Sequence, residues 1–273
     1  MIRRRASAEI TRRFKKLRRR VNTFMTTSTN LIVTNEGQDF TFTRDAAKLT
    51  AFSEWFQQAI DEEILRIDLG GTIADHWLNA YIGDAYIRGS IKTRSQVEKA
   101  LGDRLNKIED YSPFRNQAHV DRAELIFQRT LEDLEGVTST MADQTRRVLS
   151  QGILEGKNPV VVAREMVDRV DKIGITRAKL IARTEIVESH NSASIMEAEI
   201  LTAETGEDIQ MRWKTSIDGR ERDTHHDRHN NIYPLDVAQS LIGEPNCRCS
   251  ITAFVDLDAE IARAEARLAA SNS

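Results

Sequence analysis

Apolar side chains recur at helical spacing along most of this chain. Ile10, Phe14, Leu17, Val21 and Phe24 step by fours and threes, which puts them on one face of a helix with Arg and Lys on the others. The stretch TTSTNLIVTNEGQDFTFTRDAA then leans to β, with Phe40 and Phe42 alternating and a turn at Asn35–Gly37. Phe52, Phe56, Ile60 and Ile64 restore the helical step, and Gly70–Gly71 breaks it. HWLNAYIGDAYIRGSIK and SQVEKALGDRLNKI read as two further helices, with Ser95 capping the second. Pro113 marks a joint before a long helical stretch with an interruption at Gly136. Asn158–Pro159 opens another helix, which Gly174 ends. Thr176 caps the next, running to Gly206.

Only then does a period of two return. IQMRWKTS sends Ile209, Met211 and Trp213 to one side, and CRCSITAFV reads as a second strand. A last amphipathic helix is expected in DLDAEIARAEARLAA. The expectation is a mainly α chain with a small C-terminal antiparallel β element (α+β) on an extended helical body. Its segments are a basic amphipathic N-terminal arm (1–30), a helical N-terminal domain (31–110) and a long helical connector (111–174). A domain carrying the strands (175–256) and a C-terminal helix or tail (257–273) complete it.

Composition narrows the function classes. Of 273 residues 40% are hydrophobic and 30% charged, and no apolar run is long enough for a membrane helix. No membrane partner is expected. Two cysteines one residue apart cannot form a disulfide framework, and a reducing compartment is expected. The net charge of −3 conceals an asymmetry, because the first twenty residues hold ten Lys/Arg and one acid, Glu9. Arg3, Arg4, Arg5, Arg12, Arg13, Lys15, Lys16, Arg18, Arg19 and Arg20 thus form a basic helix that suits a polyanion or an acidic partner.

The candidate chemistry lies near the C-terminus. RERDTHHDRHNNIYP places three of the six histidines within five positions, and NCRC follows with both cysteines. His225 and His229 have the H-x3-H spacing of zinc ligands, and Cys247 and Cys249 would point the same way on a strand. These four would saturate one structural zinc ion and leave no open position. The C-x-C spacing is short for such a site, and the other reading is a hydrogen-bonded loop with small buried cysteines. A metal-dependent nuclease using His225, His226 or His229 is the competing enzyme class, and a DNA-binding module on the same cluster is a further alternative. Glu197 and Glu199 form a Glu-x-Glu pair, but inside a helical pattern that does not suit a transferase site.

The ordered segments ITRAKLIARTEIVESHNSAS, RWKTSIDGRERDTHHDRH, YPLD and GEPNCRCSITAF resemble the phage Mu F-like head morphogenesis domain of tailed bacteriophages, over about 175 to 255. The matching positions are Arg183, Thr184, Glu185, Asn191, Trp213, Asp218, Arg220, Arg222 and His225, then Pro245 to Cys249. Asn230 stands where the family often has Gly, and His226 and His229 are additions. The resemblance implies a minor head protein acting with the portal protein and the major capsid protein, located in the virion head and in host cytoplasm during assembly. It implies contact with packaged double-stranded DNA and no established enzymatic chemistry. Arg183, Glu185, Asn191, Trp213, Asp218, Arg222 and Asn246 are then structural residues.

Overall fold

The stripe of Ile10, Phe14, Leu17 and Val21 forms one face of helix α1 (Ile2–Thr27), and all four side chains are fully buried. Burying each such residue contributes about 1.5 to 3 kcal/mol. The structure, a computed structural model, describes residues 1–27, 32–34, 40–42, 46–67, 71–105 and 108–256. The turn expected at Asn35–Gly37 and the helix expected beyond 256 lie outside the described residues. After α1 come β1 (Ile32–Thr34) and β2 (Phe40–Phe42), paired antiparallel as the alternation suggested. The remaining helices are α2 (Ala46–Ile60), α3 (Trp77–Leu101), α4 (Gln117–Glu155), α5 (Pro159–Arg169), α6 (Thr176–Thr205), α7 (Asp223–Asp227) and α8 (Leu235–Leu241). Strands β3 (Ile209–Lys214), β4 (Ile232–Tyr233) and β5 (Ser250–Val255) form one antiparallel sheet with β3 in the middle. The fold is mainly α with a small antiparallel β element near the C-terminus. No helix among the described residues is long and apolar enough to cross a membrane.

Three expected breaks are absent. Ser95 caps nothing, because α3 runs unbroken from Trp77 to Leu101. Its buried stripe continues through Ser90, Thr93 and Arg94 before Val97, and those polar positions hide the continuity from a hydrophobicity reading. Gly136 sits inside α4 in open space, where a single glycine lowers helix propensity without stopping the helix. Gly174 lies within a π-helical turn, Val170–Ile175, that leads directly into α6, so Thr176 is not a cap. A Cβ on Gly174 would stand 2.5 Å from Phe14 Cε1; this glycine admits a ring. Asn158 does cap α5, accepting from Val160 N–H at 2.9 Å.

The chain gathers into two compact units, Met1–Asn79 with Phe127–Ala182, and Ala80–Ile126 with Arg183 onward. In the first unit α1 packs against α5, the π-helical turn and α2. Phe24 stacks on Trp55 with ring centroids 4.2 Å apart. The apolar face of α1 is thus the core of this unit, not a surface offered to a partner.

In the second unit the sheet lies on α3 and α6. Val97, Leu101, Ile195, Ala198 and Leu201 pack with Ile209, Met211, Trp213 and Ile251. Beside this core Glu197 is fully buried, with its carboxylate receiving Ser90 at 2.7 Å, Arg94 at 2.9 Å and the Tyr111 hydroxyl. His119 Nε2 is 2.9 Å from the same carboxylate, and its Nδ1 meets the Tyr86 hydroxyl at 2.9 Å. The Glu-x-Glu pair of the sequence therefore resolves into a polar anchor for α3, α4 and the segment before it. Glu197 is its centre.

Candidate metal centre

Helix α6 and the sheet hold two loops against each other. The first runs from β3 through α7 to β4 and carries His225. The Trp213 indole donates to Thr215 Oγ1 at 3.0 Å, and that hydroxyl donates to the His225 carbonyl at 2.5 Å. The indole also meets the imidazole edge to face, 5.7 Å between centroids, which fixes the buried ring in place. Asn230 closes the loop with φ of 69°, a left-handed conformation that Asn tolerates in place of Gly. The second loop turns at Pro245–Asn246, where Asn246 has φ of 60°. Both cysteines follow this turn and precede β5, so they are not on the strand where the sequence reading put them. Turned backbone removes the objection to C-x-C spacing, and Cys249 N–H donates to Cys247 Sγ at 3.3 Å.

The three side chains converge. His225 Nδ1 lies 3.3 Å from Cys249 Sγ and 3.5 Å from Cys247 Sγ. The opposite nitrogen, Nε2, is 2.9 Å from Glu244 Oε2, close enough for an ion pair but not aligned as a directed hydrogen bond. Arg222 and Arg228 also reach Glu244, at 2.9 and 3.2 Å. Burial pushes Glu244 toward the neutral acid, but His225, Arg228 and Arg222 outweigh it and hold the carboxyl below its usual range. The two thiols behave as a pair. Cys249 is drawn down to about 5, first by the bond from Cys247 and, against burial, by His225 and Thr215. The same bond and burial push Cys247 up.

This set fits a zinc-like ion. Zinc–nitrogen and zinc–sulfur bonds in a tetrahedron leave N and S about 3.6 Å apart, close to the two distances found. One imidazole nitrogen has a single lone pair or a single proton, so it cannot hydrogen-bond fully to two sulfurs at once. An ion bonded to all three can satisfy them together. A carboxylate behind the ligating ring is the usual device for fixing the imidazole tautomer, and Glu244 occupies that place. Sequence reading missed it, although an acid just before Pro-Asn-Cys was visible.

His229 does not join the cluster; its Nδ1 accepts from Thr215 N–H at 3.1 Å. His226 is exposed, 3.6 Å from Glu221, so the three histidines of the nuclease reading do not converge. Arg183 donates to Asn246 Oδ1 at 2.7 Å, and Thr184 Oγ1 accepts from Asn246 N–H at 2.9 Å. Glu185 is buried on the same helix. Asn191 donates to the Cys249 carbonyl and accepts from Ile251 N–H, at 3.1 and 3.3 Å. Arg222 also donates to the Pro245 carbonyl at 2.8 Å. Asp218 grips Arg248 and Arg220, and these two guanidiniums hold its carboxyl well below the usual range.

Arg13 and Arg12 meet Glu9, Lys16 meets Glu63, Arg20 meets Glu62 and Glu63, and Arg18 meets Asp171. Arg13 also covers the Trp77 ring, 4.6 Å from its centroid. Arg3, Arg4, Arg5, Lys15 and Arg19 lie exposed along the outer side of the helix.

A helical protein whose small sheet is fastened to a long helix by Arg183, Thr184 and Asn191, with a His/Cys cluster joining the two loops beside it, is the class these features define. Residues 143–252 match the family model of the phage Mu protein F-like proteins, the family whose motifs the sequence resembles, and the match begins upstream of the motifs, within α4. It supports a phage head morphogenesis protein. Neither the search of curated proteins nor that of solved structures found a match.

Proposed function

We propose that this chain is a minor head protein of a tailed bacteriophage, resident in the virion head. It acts with the portal or the major capsid protein while the head is built and DNA is packaged. One observation carries the reading. The family-motif residues all turn onto the two loops: Arg183, Thr184 and Asn191 tie α6 to Asn246 and Cys249 before β5, and Asp218 and Arg222 tie the first loop to the same segment. Side chains committed in this way build a clasp. We take that clasp to hold one zinc ion through His225, Cys247 and Cys249, with structure as its role. The exposed cations of α1 are the face we assign to packaged DNA.

Cross-linking and mass spectrometry of intact heads test the assignment. Cross-links from this chain to the portal or shell protein are expected in purified particles. Recovery of the chain only outside heads, or plasmid cleavage abolished by His226→Ala, would overturn it.

A further inference from the structure

The clasp supplies three metal ligands, and a tetrahedral ion takes four. Among the described residues no other His, Cys, Asp or Glu joins the three in one cluster. Glu244 lies at the far nitrogen of the His225 ring, already engaged by Arg222 and Arg228. His229 Nδ1 is occupied by Thr215 N–H. Structural zinc sites normally close with four protein ligands, whereas three ligands and an open position characterise sites that take an external ligand.

The fourth side is not sealed. His225, Cys247 and Cys249 all line a cleft of about 120 Å³ whose other walls include Ser216, Arg220, Glu221, Arg222 and Arg248. Three arginines thus line the cleft, Arg222 paired with Glu244 and both Arg220 and Arg248 with Asp218, and Glu221 is itself turned to the Asp218 N–H at 3.0 Å. Each guanidinium carries five N–H donors. The bonds found use two on Arg222, two on Arg248 and one on Arg220, which leaves donors for a guest.

We propose that a metal ion at His225, Cys247 and Cys249 keeps its fourth position open to this cleft, and that the position takes a small oxyanion steadied by the arginines. The proposal rests on the metal-bound clasp described above and adds to it an exchangeable external ligand.

Cobalt(II) substituted into the full chain provides the test, because its visible absorption reports both thiolate ligation and any change in the fourth ligand. Stoichiometric cobalt with thiolate charge-transfer bands is expected. Inorganic phosphate, and separately azide, should then shift the ligand-field bands saturably. Arg220→Gln should weaken the phosphate response about tenfold, the loss of one charge-assisted contact, while leaving the spectrum without phosphate unchanged. Arg220 suits this role because its side chain is largely exposed and its one ion pair is with Asp218. A cobalt spectrum with thiolate bands that ignores both anions overturns the open position and leaves the metal clasp standing. Failure to bind cobalt at all overturns both.

Discussion

Arg94 donates to Glu197 at 2.9 Å in a site where the two side chains are 4% and 0% exposed. Neither charge has water to fall back on. Removing Arg94 takes the guanidinium from a buried carboxylate that keeps only Ser90, Tyr111 and His119, which costs about 3 kcal/mol, the lower end for a broken buried pair. Arg94→Met should lower stability in urea by that amount. Adding Glu197→Gln should recover part of it, because the amide leaves no unbalanced charge, with a coupling of about 1 to 3 kcal/mol. Additive losses would show that the pair is not coupled.

Glu197 also sets an acid limit. Burial alone would raise its pKa, but His119, Tyr111, Ser90 and Arg94 outweigh it and hold the carboxyl below its ordinary 4.5. A depressed folded value means that the stabilisation is complete above the unfolded pKa and is lost as pH falls through the folded one. Wild-type stability should therefore drop in strongly acid solution through this group. Glu197→Gln should be less stable near neutrality and flatter below pH 4.5. Parallel pH curves for the two proteins would refute the assignment.

Two glycines in long helices should respond in opposite senses to alanine. At Gly89 a Cβ would collide with the backbone carbonyl of His190, so α3 and α6 touch there without room for a methyl group. Gly89→Ala should cost about 1 to 3 kcal/mol, since backbone must move. Gly136 meets nothing within 4 Å, and Gly136→Ala should add about 0.5 to 1 kcal/mol through helix propensity. Thermal melts distinguish these signs.

Helix stripes were legible wherever the buried face is apolar. Ile10 to Val21 and Phe52 to Ile64 were placed correctly because burial and hydrophobicity coincide there. The reading failed in α3 and at Glu197, where buried positions are polar and satisfied by residues distant in sequence, such as His119. Glycine misled twice, at Gly136 because one glycine in open space does not stop a helix, and at Gly174 for a tertiary reason. Gly174 makes room for Phe14, a tertiary demand that local pattern cannot announce. At the clasp the residue types were visible, but which nitrogen faces which sulfur depends on the turn at Asn246 and on Trp213 holding the ring. Glu244 was overlooked because its role lies behind the ligand.

The outer side of α1 makes a salt-dependent prediction. Arg4, Lys15 and Arg19 are exposed, whereas Arg18 and Arg20 hold acids of the same unit. Replacing Arg4, Lys15 and Arg19 with Gln should leave folding intact, because surface substitutions usually stay within about 0.5 kcal/mol. If this face lies on DNA, the slope of log affinity against log salt should become shallower by about 2 to 3. An unchanged slope would remove DNA from the partners of this helix.

Metal removal should expose the clasp. His225, Cys247 and Cys249 tie the loop before β5 to α7, and Asn191 ties the same loop to α6. An ion that binds only the folded chain stabilises it by about 2.7 kcal/mol at a hundred times its dissociation constant. Chelation of metal-loaded protein should therefore lower the unfolding midpoint, and Cys249→Ser should be less stable and insensitive to chelator. Asn191→Ala should also destabilise, by about 2 to 4 kcal/mol, because the Cys249 carbonyl and Ile251 N–H lose their partner inside the protein. That variant keeps all three ligands, so it should still respond to chelator. If wild type and Cys249→Ser melt alike with and without metal, the cluster contributes nothing through an ion. The fastening then belongs to the asparagine and the arginines alone.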